Sequence, residues 1–297
     1  MSRRFALLVN PASASGKALQ SLPAILAELD RLGARHRTVT TRSIDHAAEE
    51  ATRAATEGET VAAIGGDGLL RPIAAALKGR ESALALIPCG RGNDFARVLG
   101  IPKDVSEAAR IAVEGDERLV DVANVDGTPY VGIASLGFDS DANRVANDAK
   151  LVRGDAVYVY AALRALAAWK PAAFTVTVDG DRREMTGYSV AVGNSRAYGG
   201  GMYLLPQAEL DDGQLDVLIS KESSKLTFLR SLPRVFKGTH LDSPYCETLR
   251  GAVVEVSSDR PFVIYADGDP IGATPATMRV ERRCLRVIVP KAALPPK

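Results

Sequence analysis

Cysteine, net charge and long apolar runs are all scarce in this sequence, and each scarcity excludes a class of protein. The three cysteines, Cys89, Cys246 and Cys284, lie far apart without the spacing of metal ligands. Unpaired thiols in an enzyme-sized chain are typical of a reducing compartment. A net charge of +1 provides no field that would draw the chain onto nucleic acid. No run of about eighteen apolar residues occurs, so no membrane span is expected. We therefore predict a cytoplasmic protein without a nucleic-acid partner.

The amino terminus and the histidines point to no further function. The apolar run Phe5–Val9 is too short for the core of a signal peptide and ends in Asn-Pro. The three histidines, His36, His46 and His240, are dispersed, which favours surface or structural positions. Internal repeats and low-complexity linkers are lacking too, so any domain boundary must come from a change in hydrophobic period.

Residues 1–120 alternate short apolar runs with segments of helical spacing. The runs Phe5–Val9, Thr60–Ile64 and Ala83–Ile87 are predicted to be buried strands. Helical spacing is found in the segments Leu22–Leu32, Ile73–Leu77, Asn93–Leu99 and Ser106–Val113. This alternation predicts βαβ units, and so a doubly wound parallel α/β domain with both faces of its sheet covered.

Residues 121–297 have a different pattern, with short β-rich runs separated by turns. Asp126-Gly127 and Asp179-Gly180 are strong hairpin signals. The predicted strands are Leu119–Val122, Tyr130–Ala134, Ala173–Val178, Tyr188–Val192, Leu215–Ile219, Val253–Val256 and Phe262–Tyr265. Helical stretches interrupt them around Asp155–Trp169 and Lys225–Phe236. We predict a β-sandwich domain with inserted helices. The last run, Leu285–Val289, could pair with either sheet and so return the final residues to the first domain.

The strongest chemical signal is the turn Gly65-Gly66-Asp67-Gly68, between a predicted strand and a predicted helix. Glycines let a backbone turn sharply and approach a ligand without a Cβ in the way. The free N–H groups of the following helix attract an anion, and Asp67 adds a carboxylate where a phosphate-bound Mg²⁺ could sit. A plain glycine-rich turn remains the alternative for this segment alone.

Two further loops resemble this one in position and composition. The segments 10–17 (NPASASGK) and 88–96 (PCGRGNDFA) each follow a predicted strand and begin a helix. Neither is a P-loop, because the pattern G-x-x-x-x-G-K-[ST] is absent. Loops at the carboxyl ends of parallel strands meet in one crevice, where open α/β sheets bind ligands. Together the three loops favour a phosphate-containing ligand.

In this order, these segments resemble the diacylglycerol kinase catalytic family, which includes bacterial lipid kinases and sphingosine kinases. The likeness covers nearly the whole chain and continues through the second half. The matching segments there are Gly137-Phe138-Asp139, Gly199-Gly200-Gly201-Met202, the turn Pro206–Gly213 and Asp267-Gly268-Asp269. The resemblance implies an ATP-dependent kinase that phosphorylates a lipid alcohol at a membrane surface, with ATP and Mg²⁺ as cofactors.

The resemblance also assigns nucleotide contacts to this sequence. The implied ATP-binding residues are Asn10, Pro11, Ala12, Ser13, Ala14, Thr41, Gly65, Gly66, Asp67, Gly68, Leu69, Leu70, Arg71, Arg91 and Asn93. Most of them fall in the three glycine- and serine-rich loops, the segments that the residue types favour for phosphate.

Carboxylates carry the remaining implied roles. Asp67, Asp94 and Asp121 are implied to form a set around the catalytic Mg²⁺, and Asp269 to be the general base with Asp267 close by. A solvated Asp-Gly turn is the alternative reading of the last two. A structural metal in some bacterial members corresponds to Glu209, Asp212 and Gln214, with the Asp212 side chain and the backbone carbonyls of the other two as ligands.

The sequence departs from the family pattern after the GGDG turn. Where relatives continue with G-T-x-N-E, this chain has Gly68-Leu69-Leu70-Arg71-Pro72, and Arg91 stands where many relatives have Thr. Pro72 is expected in the first turn of the helix, where proline is tolerated. We interpret the site as rebuilt around arginines, because the glycines and carboxylates are all retained.

Alternative functions stay open at this point. An NAD kinase shares GGDG but requires an Asn-Glu dipeptide in the middle of the chain, which Asn124-Val125-Asp126 does not supply. A pseudokinase that binds nucleotide or lipid would explain Arg71 and Pro72. The basic and apolar segment 221–237 suits either a membrane surface or an ordinary amphipathic helix. The sequence does not name the lipid, and it leaves a homodimer open.

Overall fold

The computed structural model describes residues 3–142, 164, 166 and 168–291, which form two compact units. The first unit contains the described residues up to Val122, the segment Gly199–Gly201 and the residues from Arg282 onward. The second contains the other described residues. The helix predicted around Asp155–Trp169 lies largely outside the described residues. No helix in the described part of the chain is long and apolar enough to cross a membrane.

The first unit is a doubly wound α/β domain, as the alternating pattern predicts. Its elements are β1 (Arg4–Val9), α1 (Lys17–Arg31), β2 (Arg35–Thr40), α2 (Ile44–Thr56), β3 (Thr60–Gly65), α3 (Asp67–Leu77), β4 (Leu84–Pro88), α4 (Asp94–Val98), α5 (Val105–Glu114), the start of β5 (Asp116–Val125) and the end of β15 (Ala276–Val289). The parallel strand order is β2-β1-β3-β4-β15. Strands β1, β3 and β4 are buried almost throughout, as expected when helices cover both faces.

Two elements of this unit have no counterpart in the predicted pattern. Strand β2 lies at the edge of the sheet, and its sequence RHRTVT alternates exposed and half-buried residues without an apolar run. Helix α2 buries three alanines, Ala47, Ala51 and Ala54, rather than large side chains. A pattern search based on large apolar residues therefore misses both elements.

The second unit is β-rich. Its elements are the end of β5, β6 (Thr128–Tyr130), β7 (Ile133–Gly137), β8 (Ala172–Val178), β9 (Asp181–Gly193), β10 (Leu215–Lys221), α6 (Lys225–Val235), β11 (Cys246–Gly251), β12 (Val253–Ser258), β13 (Val263–Ala266), β14 (Asp269–Ala273) and the start of β15. The first half of β9 pairs with β8, whereas its second half pairs with β7 and β10. The apolar core includes side chains from both groups of strands, such as Phe174, Val254 and Val190, as in a sandwich.

One predicted strand of this unit is wrong in extent. The run Tyr130–Ala134 forms two strands, β6 and β7, with a break at Val131-Gly132. The N–H groups of these two residues donate to the side chain of Asp267, at 2.9 Å each, instead of to a neighbouring strand. A bond between residues so far apart in sequence leaves no trace in the local pattern.

Candidate active site

The loops after β1, β3 and β4 lie side by side at the carboxyl edge of the first unit's sheet. Backbone bonds extend the ladder past the strand ends: Asn10 N donates to Ile64 O at 3.1 Å, and Cys89 N donates to Gly65 O at 2.8 Å. The hydroxyl of Ser13 donates to Cys89 O at 3.3 Å. The convergence of the three loops expected from the sequence is therefore present.

Gly66 and Gly90 allow the loops after β3 and β4 to approach each other. A Cβ built on Gly90 would lie 2.4 Å from Gly66 Cα, and one on Gly66 would lie 3.0 Å from Gly90 Cα. A side chain at Gly90 would therefore overlap the backbone of Gly66, and one at Gly66 would be tight against Gly90. Gly68 instead faces open space. None of these three glycines has a positive φ, so backbone proximity rather than an unusual turn conformation requires Gly66 and Gly90.

Asp67 lies against Asp94, at the start of the short helix α4. The backbone of Asn93, Asp94 and Phe95 hydrogen-bonds the Asp67 carboxylate. Burial nevertheless raises the pKa of Asp67 to about 6, and the neighbouring charge of Asp94 contributes to the rise. A Cβ on Gly92 would meet both carboxylates, at 2.9 Å from Asp67 Oδ2 and 3.2 Å from Asp94 Oδ2.

Asp94 is held by Gly199–Gly201, a segment distant in sequence that the resemblance marks without assigning it a role. Its Oδ2 accepts a hydrogen bond from Gly200 N at 2.8 Å, and all three residues of Gly199–Gly201 have positive φ. Its Oδ1 is buried without a hydrogen bond and lies 3.9 Å from Arg97 Nε. Burial raises the pKa of Asp94 as well.

Asp121, the third expected carboxylate, has a different environment. It is fully buried on β5, and its Oδ1 accepts a hydrogen bond from Arg283 N of β15 at 2.6 Å. Across the described residues, no group of three or more His, Cys, Asp or Glu side chains is arranged to hold a metal ion. The structure thus brings together two of the three predicted carboxylates, and Mg²⁺ stays a prediction.

Several predicted nucleotide-binding side chains build the loops. Asn93 exchanges two hydrogen bonds of 2.8 Å with the backbone of Gly90, and the hydroxyl of Thr41 donates to Val9 O at 3.1 Å. Asn10 Oδ1 accepts from Ala12 N at 3.0 Å. Leu69 and Leu70 are buried on α3. These residues position the backbone that a phosphate would contact.

Backbone strain is concentrated after β1. Ala14 and Ser15 both adopt left-handed conformations, with φ of 45° and 60°, and Gly16 follows with φ of 94°. Left-handed conformations cost side-chain-bearing residues roughly 1 kcal/mol each, and such strain is typical of functional loops. Pro11 and Ala12 precede this turn and are half-buried and exposed, respectively.

The two arginines that depart from the family pattern are placed differently. Arg71 is partly buried on α3, whereas Arg91 is exposed in the loop after β4. Pro72 is not in the first turn of α3, as expected, but is its sixth residue. At that position it removes the N–H that would bond to Gly68 O, so the carbonyl of the last residue of the GGDG turn loses its helical partner.

Helix α3 begins at this turn without a side-chain cap. Its N-cap is Gly66 in an extended conformation, and α1 likewise follows a glycine, Gly16, without a cap. By contrast, α2 and α5 are capped by Ser43 and Asp104, whose side chains accept from the backbone N–H groups of the first turn. The glycine loops therefore leave helix N–H groups to an anion.

In the second unit, Asp267 and Asp269 flank a tight turn between β13 and β14. Asp267 and Gly268 have φ of 52° and 92°, as in the type I′ hairpin turn that Asp-Gly favours. The Asp267 carboxylate binds the N–H groups of Val131 and Gly132, and a Cβ on Gly132 would lie 2.4 Å from its Oδ1. Asp269 starts β14 and is half-buried.

At the turn predicted to hold a structural metal, an arginine from strand β11 contacts Asp212. Asp212 Oδ1 accepts from Gln214 N at 2.9 Å, and its other oxygen pairs with the guanidinium of Arg250. Arg250 Nε also lies 3.6 Å from Asp216, whose pKa is raised to about 6 by burial and by the charge of Glu209. Arg250 thus pairs with the only side-chain ligand that the resemblance assigns to a metal at this turn, and the metal itself stays a prediction.

Comparison with known proteins agrees with this geometry. Residues 4–125 match the diacylglycerol kinase catalytic domain, and residues 132–289 match the YegS C-terminal NAD kinase beta sandwich-like domain. The diacylglycerol kinase of Mycobacterium tuberculosis is 31% identical over 293 residues, covering 96% of this chain and 94% of the relative. A YegS-like lipid kinase of Pseudomonas aeruginosa is 32% identical over 234 residues, covering 78% and 76%.

A solved structure shares the fold. The crystal structure of a diacylglycerol kinase from Bacillus anthracis aligns over 97% of each chain with a TM-score of 0.76 and 20% identity. The fold, the glycine loops and the matched domains define a phosphotransferase of the kinase class. The chain belongs to the diacylglycerol kinase and YegS-like lipid kinase family.

Proposed function

We propose that the chain transfers the γ-phosphoryl group of ATP to the hydroxyl of a lipid alcohol. The observation that carries this proposal is the Asp67–Asp94 pair, held by glycine loops at the carboxyl edge of three neighbouring parallel strands. Diacylglycerol is the first candidate acceptor, because relatives that cover 96% and 97% of this chain are named diacylglycerol kinases.

The two carboxylates fit a phosphate-bound Mg²⁺. Both have raised pKa values, and Asp94 Oδ1 is buried without a hydrogen bond, so a cation would stabilise the ionised pair. When bound by Asp67 and Asp94, Mg²⁺ would neutralise charge on the transferring phosphoryl group. The uncapped N-terminus of α3 would add N–H donors to the phosphates.

Asp269 is the proposed general base. The hydroxyl of a lipid alcohol has a high pKa, so its proton leaves as the bond to phosphorus forms, and a carboxylate accepts it at that moment. Asp267 has a positioning role in this proposal, because its two oxygens already hold Val131 and Gly132.

An acceptor screen tests the proposal. The full chain is incubated with γ-labelled ATP, Mg²⁺ and detergent-dispersed diacylglycerol, phosphatidylglycerol or a sphingoid base, and labelled lipid is counted, with Asp67→Asn as the inactive control. Labelled lipid from one acceptor, absent with the control, supports the lipid kinase. Labelled NADP from NAD alone would indicate an NAD kinase. ATP binding without labelling of any acceptor would indicate a pseudokinase.

A further inference from the structure

Helix α6 of the second unit has two faces of different character. Its inward face is anchored by Phe228, whose ring lies 4.8 Å from that of Phe138 and stacks at 4.1 Å on Tyr188. Val235 on the same face is buried. These contacts fix which side of the helix faces solvent.

The outward face is apolar in the middle and basic at its margins. Leu226 and Phe236 are each 55% exposed, the highest values among the exposed large apolar side chains of the described residues, and Pro233 lies between them on this face. Lys225, Arg230 and Lys237 flank them and are also exposed. Exposed leucine and phenylalanine bordered by basic residues are the composition of a helix that lies in a membrane interface.

The positive charge around this face indicates an anionic partner. Residues 223–241 contain four basic residues and no Asp or Glu, although the chain as a whole is nearly neutral. Two neighbouring cations already have acidic partners: Lys221 pairs with Glu247 and Arg234 with Asp242. Arg230 and Lys237 on the outward face are exposed and attract an anionic surface.

We propose that the outward face of α6 and the two residues after it, formed by Lys225, Leu226, Arg230, Pro233, Phe236 and Lys237, docks the protein on anionic lipid bilayers. The proposal rests on the lipid kinase function proposed above, because such an enzyme meets its acceptor at a bilayer. Leu226 and Phe236 insert among the lipids, and the basic residues contact the anionic head groups.

Vesicle binding tests this surface. The full chain is sedimented at low salt with vesicles of equal parts phosphatidylglycerol and phosphatidylcholine. Leu226→Ser/Phe236→Ser and Arg230→Gln/Lys237→Gln should each bind about tenfold more weakly than wild type. Val263→Ser, an apolar residue 45% exposed elsewhere in this unit, and Arg182→Gln/Arg279→Gln are the matched controls and should bind normally.

Any of three results would contradict the proposed docking surface. These are no vesicle binding by the wild type, equal binding to pure phosphatidylcholine vesicles, or an equal loss of vesicle binding in the control variants. Activity on detergent-dispersed acceptor separates this proposal from the lipid kinase function. Variants that phosphorylate dispersed lipid normally but fail on vesicles support the surface. If no acceptor is phosphorylated while the vesicle pattern holds, the kinase function falls and the docking surface stands.

Discussion

Asp67 and Asp94 in the first unit, and Asp212 and Asp267 in the second, all lie in glycine-containing turns, yet their oxygens have different partners. Asp267 is satisfied by two backbone N–H groups and Asp212 by Arg250. Asp67 and Asp94 face each other, with raised pKa values and a buried oxygen that accepts no hydrogen bond. The second unit uses these two carboxylates to join its own segments, whereas the first keeps a pair suited to an external cation.

Asp67→Asn should produce the largest change in activity. Removing one charge from the pair should lower the rate of lipid phosphorylation by about a thousandfold or more, since phosphoryl transfer depends on electrostatic stabilisation. Initial rates with γ-labelled ATP measure this effect. A variant that keeps more than about a tenth of the wild-type rate would contradict the role of the pair.

The same substitution should change how the free energy of unfolding depends on pH. Because the folded pKa of about 6 lies above the ordinary value of 3.8, the stability associated with Asp67 is present below about pH 4 and lost as pH rises through 6. Asp67→Asn removes this titration, so between pH 4.5 and pH 8 its free energy of unfolding should fall by about 1–3 kcal/mol less than that of the wild type. Urea titrations of both proteins at the two pH values measure the difference, and equal changes would contradict the raised pKa.

Asp269→Asn should have the next largest effect on rate. Loss of a general base costs roughly a hundredfold or more, while ATP binding is unaffected because Asp269 has no role in the proposed nucleotide site. Calorimetry with ATP and single-turnover rates on one preparation measure both quantities. A parallel loss of affinity and rate would place Asp269 in the nucleotide site.

Asp267→Asn should affect stability more than Asp269→Asn does. Asparagine tolerates the positive φ of this position but provides one acceptor oxygen for the two N–H groups that Asp267 holds. We expect a loss of about 2 kcal/mol in the free energy of unfolding, against less than about 1 kcal/mol for the matched variant Asp269→Asn. Equal free energies of unfolding for the two variants would contradict the assignment of Asp267 as a positioning residue and Asp269 as the base.

Arg250→Gln is expected to have the smallest effect. Its partner Asp212 is partly exposed, so loss of the pair should cost about 1 kcal/mol. Both measurements are made in an Asp67→Asn background without nucleotide. A chelator should leave the melting temperature of this parent protein unchanged. Mg²⁺ should raise the melting temperature of the protein that also carries Arg250→Gln. A chelator that destabilises the parent protein would show that a metal is bound at this turn after all.

The sequence predicts those parts of the molecule that local patterns record. The buried strands β1, β3 and β4 are continuous apolar runs, and the loops after them carry their glycines in sequence. Strand β2 is polar because it lies at the sheet edge, and α2 buries alanines rather than large apolar side chains. Neither element therefore has the spacing of large apolar residues that predicts a strand or a helix.

Contacts between distant residues account for most of what the sequence does not predict at the site. Gly200 binds Asp94, Asp267 binds Val131 and Gly132, and Arg250 binds Asp212, across separations of 106, about 136 and 38 residues. The motifs Gly199–Gly201 and Asp267–Asp269 mark such positions but do not name their partners. Local periodicity has no information on which distant backbone a carboxylate reaches.

Titration of Asp67 tests most directly whether the Asp67–Asp94 pair is suited to an external cation. Carboxyl ¹³C shifts of aspartate-labelled protein, assigned with Asp67→Asn, would be followed from pH 3 to 8 with and without Mg²⁺ and a non-hydrolysable ATP analogue. Asp67 should titrate near pH 6 without the ligands, and at least about one unit lower with them, since a bound cation stabilises the ionised form. Titration near pH 4 in both samples would contradict the account.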